Sequence, residues 1–199
     1  GRGGRRWESP EGGLYLSWIQ SGLDSETIAR LPMLAAAAAV SAVKTAGIDD
    51  PRIKWPNDIL VDGKKLAGMV VFARHGETTW ATVGFGINVD TSPIFEEGNG
   101  TLATSITELM ADVNVDAVRE ALISTFVESL TRSLADPAPA LTSWRRELLQ
   151  QPGDAVTVRL ASGKEVSGNL LGVSEEGFLQ LGGNGEEQVI TGGDLIEKG

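Results

Sequence analysis

Lys64 and Lys65 follow the turn-forming pair Asp62-Gly63 and run directly into Leu66-Ala67-Gly68. A lysine ammonium there can neutralise an anion, and the small residues Ala67 and Gly68 leave room for a flat ligand against a strand. Just upstream, Lys54-Trp55-Pro56-Asn57-Asp58 ends an extended segment at a proline-fixed turn and presents an amide and a carboxylate side by side. Further on, Val83-Gly84-Phe85-Gly86-Ile87-Asn88-Val89 puts glycines inside a strand. Glycine there costs stability, so it marks a bulge or a close approach by ligand or backbone. The segment lacks the third glycine and the following helix of a dinucleotide-binding loop. The opening Gly1-Arg2-Gly3-Gly4-Arg5-Arg6-Trp7 joins closely approachable backbone to guanidinium groups. Arg2 and Arg5 can fork onto phosphate or carboxylate oxygens. Taken singly, each segment also has a plainer reading: a basic tail, an Asn-Asp turn, a charged hairpin edge, a strand bulge.

Other chemistries are narrowed by composition. There is no cysteine, which excludes disulfides and thiolate metal sites, and the one histidine, His75, falls in an apparent turn and reads as solvated. A net charge of −10 argues against broad nucleic-acid binding, which needs a surface rich in Lys and Arg. The most apolar run, residues 34–43, is mostly alanine and too short and weak to predict a membrane span. These features fit a reducing cytoplasm.

The elements that must position these residues follow from pattern. Residues 14–19 read as a buried strand after Gly12-Gly13, and a helix capped at Ser25 leads through Pro32 into an alanine-rich helical stretch at 34–45. Short β-rich runs at 52–55, 59–61, 66–73 and 78–89, separated by Asp62-Gly63 and His75-Gly76, predict an antiparallel meander. Apolar residues at Val118, Leu122, Phe126, Leu130 and Leu134 predict a helix over 114–134 that covers the sheet. Asp136-Pro137-Ala138-Pro139 reads as its break, with a shorter helix at about 141–149. After Pro152-Gly153 some five short alternating strands, with turns that include Gly182-Gly183-Asn184-Gly185, predict a small β-barrel. It carries eight acidic against three basic side chains, which makes it an unsuitable nucleic-acid surface.

The order of these segments, with Lys-Trp-Pro-Asn-Asp and Lys-Leu-Ala-Gly at this separation and a terminal β-rich module, resembles the biotin–protein ligases from end to end. The resemblance implies an α+β fold shared with class II aminoacyl-tRNA synthetases: a mixed β-sheet backed by helices over residues 1–151, followed by an SH3-like barrel over 152–199. It implies that biotin and ATP form biotinyl-5′-AMP with Mg²⁺, and that the biotinyl group then passes to a lysine of a biotin carboxyl carrier domain. Arg2 and Arg5 would belong to a loop closing over the adenylate, and Trp7 would stack on adenine. Lys65 would contact the biotin carboxylate and the ATP phosphates, and Gly68, Gly84 and Gly86 would lie beside the ligands. Asn57, Asp58 and Asn88 would serve nucleotide, magnesium or reacting groups, with Asp58 orienting the attacking amine. The resemblance implies that the chain opens two residues into the family's first signature, so upstream strands and any DNA-binding domain are expected to lie outside it. Homodimerisation, a lipoate-type ligase or transferase of the same fold, and a non-catalytic sensing or protein-interaction module stay open.

Overall fold

A computed structural model describes residues 9–74, 76, 78–93, 102–183 and 186–196. Its first sheet contains β1 (Leu14–Ser21), β2 (Arg52–Lys54), β3 (Asp58–Val61), β4 (Lys64–Arg74) and β5 (Trp80–Ile87), in the order β1-β5-β4-β3-β2. Every strand pair is antiparallel, as the meander predicts. The mixed sheet implied by the resemblance reduces, among the described residues, to isolated parallel bridges such as Lys65↔Ala103 and Ile53↔Leu148. The strand at 14–19 is an edge strand rather than a buried one. Leu14, Leu16 and Trp18 turn towards the core, while Tyr15 and Ile19 on the opposite face are exposed.

One face of this sheet is covered by helices. The two helical stretches expected around Pro32 are a single helix, α1 (Ser25–Thr45), with Pro32 inside it. Asp24 rather than Ser25 is the cap, its carboxylate accepting from the Thr27 amide at 2.7 Å. Ala35 to Ala39 are all buried, because the sheet lies on one side of α1 and α3 (Val115–Ala135) and α4 (Pro137–Glu147) on the other. Methyl-sized side chains let those layers approach closely. By length and composition α1 could cross a bilayer, yet it is the central core helix of this fold. Phe126 of α3 stacks on Phe85 of β5 with ring centroids 4.5 Å apart, fixing helix to sheet. The break expected after α3 falls at Asp136, but the Pro137-Pro139 segment already opens α4, since proline lacks only an N–H that the first helical turn leaves unused. A short helix, α2 (Ile106–Leu109), follows the first sheet.

A second antiparallel sheet holds β6 (Ala155–Arg159), β7 (Glu165–Val173), β8 (Leu179–Gly183), β9 (Glu186–Ile190) and β10 (Asp194–Ile196), in the order β10-β6-β7-β8-β9. Gly182 and Gly183, expected in a turn, belong to β8. The sheet is joined to the first through Trp55, whose indole N–H donates to the Gly177 carbonyl at 2.9 Å.

Candidate active site

Asp62 and Gly63 both adopt positive φ, 49° and 73°, and so turn β3 tightly into β4. From that turn the register would leave Lys65 and Gly68 on opposite faces, because side chains alternate along a strand. A one-residue shift prevents this: Leu60 pairs with Lys65, whereas Ile59 pairs with Ala67 and Asp58 with Gly68. The extra residue, Leu66, goes into the core, and Lys65 joins Asp58 and Gly68 on the face away from the helices. A Cβ at Gly68 would stand 3.1 Å from Asp58 Oδ1 and 3.3 Å from Lys65 Nζ. Lys65 Nζ and Asp58 Oδ1 form an ion pair at 2.7 Å, each side chain about a quarter exposed.

The same face continues across the sheet over further glycines. Gly68 is in register with Gly86, and Val70 with Gly84. On β1 the partners of Gly86 and Gly84 are Tyr15 and Ser17. Tyr15 donates its hydroxyl hydrogen to the Pro10 carbonyl at 3.1 Å, and partial desolvation of this otherwise exposed side chain pushes its phenol pKa up. The asparagines have backbone duties. Asn57 donates its side-chain amide to the Met69 carbonyl, while the Met69 amide donates to the Asn57 carbonyl at 3.0 Å. Asn88 donates its side-chain amide to the Thr104 carbonyl at 2.9 Å and to the Lys65 carbonyl at 3.4 Å. Residues 102–104 clamp the Lys65 backbone further: Lys65 N–H donates to Leu102 at 2.6 Å and Thr104 N–H to Lys65 at 3.0 Å. Pattern reasoning misses this segment, because a single parallel bridge leaves no periodicity to read.

Asp58, Lys65, Gly68, Gly84 and Gly86 are thus gathered on one face, with Asn57 and Asn88 bracing the backbone beside it. Arg2, Arg5 and Trp7 lie outside the described residues, as does His75. A concavity of about 690 Å³ lies elsewhere, between Lys54, Gln150 and the second sheet, and none of the gathered residues lines it. Among the described residues no group of three or more His, Asp or Glu side chains converges as a metal site.

Residues 1–89 match the biotin/lipoate A/B protein ligase family. Over 98% of the chain the sequence is 29% identical to the bifunctional ligase/repressor BirA of Escherichia coli K12. The solved biotin protein ligase from Aquifex aeolicus, in complex with biotin and ATP, matches with a TM-score of 0.74 at 25% identity, covering 98% of this chain and 82% of that one. The first 89 residues thus match the biotin/lipoate protein ligase family, and the chain as a whole is similar to biotin protein ligases. The family match ends just past Asn88, so it takes in the opening segment and every gathered residue. The biotin–[acetyl-CoA-carboxylase] ligase of Mycobacterium tuberculosis H37Rv is 27% identical over 84% of this chain and 60% of that protein. The chain spans 62% of the length of the Escherichia coli relative.

Proposed function

We propose that this chain is the catalytic portion of an ATP-dependent biotin–protein ligase. The observation that carries the reading is the Lys65–Asp58 pair at the edge of a glycine floor made by Gly68, Gly86 and Gly84. A carboxylate oxygen of biotin attacks the α-phosphorus of ATP, the bond to pyrophosphate breaks, and biotinyl-5′-AMP forms. Two anions must meet for this to happen, so a preorganised cation at the meeting point lowers the barrier electrostatically, and no covalent enzyme intermediate is needed. Lys65 is that cation, with Arg2 and Arg5 of the opening segment as its partners and Trp7 as an adenine platform. The glycines admit the flat bicyclic ring of biotin where a side chain would obstruct it. In the second step the neutral amine of a carrier lysine attacks the acyl carbon and AMP leaves. Asp58 orients that amine.

Asp58 is paired with Lys65, and the described residues offer no resident cation cage. Mg²⁺ therefore fits as part of the substrate, carried by the triphosphate, which suits its reluctance to shed water. We take the chain as two units, 1–151 and 152–199, the second closing as an SH3-like barrel. We place it in the cytoplasm, acting on a biotin carboxyl carrier domain, able to form a homodimer, and without a nucleic-acid role for this portion.

The test is direct. The protein is incubated with ATP, magnesium, biotin and a carrier domain, and both biotinyl-AMP and the carrier mass are followed by mass spectrometry. Because the family model spans biotin and lipoate enzymes, lipoate runs in parallel. Modification with lipoate alone transfers the reading to that branch. Neither product, together with no thermal stabilisation by either acid plus ATP, leaves a non-catalytic module.

A further inference from the structure

We propose that Trp55 is a positioning residue for the Asp58–Lys65 pair and that the turn at residues 174–178 is its seat; this rests on the ligase reading above. Trp55 lies in the turn that leads to Asp58, yet it is only 3% exposed. Its two N–H groups both reach the C-terminal part of the chain. The indole donates to Gly177 at 2.9 Å and the backbone amide donates to Gln150 Oε1 at 3.2 Å. A buried indole N–H is costly to leave unpaired, so this bond favours tryptophan at the seat in a way that packing alone does not.

The acceptor is held rigidly. Gly177 sits at φ +81°, its amide donating to the Ser174 carbonyl at 3.1 Å, and the Ser174 hydroxyl donates to the Glu176 carboxylate at 2.7 Å. Behind it, a Cβ at position 177 would come within 2.7 Å of Met33 Sδ, so α1 backs the turn. On the far side of the indole the chain passes through Asn57, bonded both ways to Met69, to Asp58 and its ion pair. Releasing the indole therefore shifts the carboxylate that orients Lys65. The glycine floor, held by the β4–β5 ladder, stays in place. Loss of the bond should lower the rate and spare biotin binding.

The experiment uses the whole chain. Trp55→Phe keeps an aromatic ring and deletes the donor. Gly177→Ala keeps the indole and strains the same bond from the turn, so the comparison survives if the first variant does not fold. Expected is a fall of about tenfold or more in kcat for biotinyl-AMP formation, as small misplacements in reacting sites produce, with KM for biotin changed less than about twofold. Asp58→Asn should also cost less in the Trp55→Phe background than in the wild type, because both act on one pair. A folded variant with wild-type kcat, or losses that simply multiply, overturns the positioning role alone. A wild-type chain that makes no biotinyl-AMP overturns the ligase reading and this role with it.

Discussion

Asp58 holds the ammonium of Lys65 at 2.7 Å, across a strand pair whose bulge is what brings the two side chains to one face. With each side chain about a quarter exposed, the pair adds little to stability, about 1 kcal/mol or less. Its value lies in fixing where the charge sits. Lys65→Ala should slow adenylate formation by about 10²–10³-fold, the scale seen when one preorganised electrostatic group is lost, and shift the melting transition only slightly. Pyrophosphate release checks this. Lys65→Arg should not restore the rate, since a planar fork cannot replace a point charge at this spot. Normal turnover by Lys65→Ala would remove Lys65 from the mechanism.

Gly68 and Gly84 should respond differently to the same added methyl. At Gly68 the methyl would press on Asp58 Oδ1 and Lys65 Nζ and also raise the floor, so Gly68→Ala should increase KM for biotin about tenfold, roughly 1.4 kcal/mol. At Gly84 it would meet Val70 Cγ2 at 2.9 Å, a β-branched neighbour with little rotamer freedom, and would not touch the Asp58–Lys65 pair. Gly84→Ala should therefore cost more in stability and less in KM for biotin. Titration of biotin by calorimetry separates the two, and equal losses would count against a ligand lying at the Gly68 end.

Asn88 braces Lys65 through backbone carbonyls, so Asn88→Ala should destabilise the fold by about 1–2 kcal/mol and slow adenylation together. Were Asn88 purely a ligand group, KM for ATP would rise while urea unfolding stayed at the wild-type midpoint.

The sheet was legible because Asp62-Gly63 and the alternation around it leave few other options, and α3 because Leu122, Phe126 and Leu130 repeat on one face. The end of α3 was legible, but the start of α4 was misread because proline breaks a helix internally and yet suits its first turn. The site was legible as a set of segments, Lys54 to Asp58, Lys64 to Gly68 and Gly84 to Asn88. What brings them together was not. The bulge at Leu66 is a register decision made by core packing, and the Leu102 and Thr104 clamps are backbone contacts to which any side chain could be attached. Trp55 illustrates the same limit, since its partner Gly177 stands far away in the sequence and is recognised only through its carbonyl.

Glu147 gives the fold a pH dependence whose sign can be worked out. It is 4% exposed, and burial pushes its carboxyl pKa up. Hydrogen bonds and charge from Lys44, at 2.9 Å, and from Arg146 outweigh that and hold it below the ordinary glutamate value. A folded-state value below the unfolded one means that the contribution is fully present above the unfolded pKa of about 4.3 and is lost as pH falls through the lower folded value. Glu147→Gln removes the charge and leaves Lys44 and Arg146 to solvent. The wild type should exceed it by about 2 kcal/mol at pH 7, a gap that stays level down to about pH 5 and then closes on further acidification. Urea unfolding of both proteins between pH 7 and pH 3 reads the gap directly. A difference that persisted unchanged at pH 3 would mean that packing around Glu147, and not its charge, joins α4 to α1.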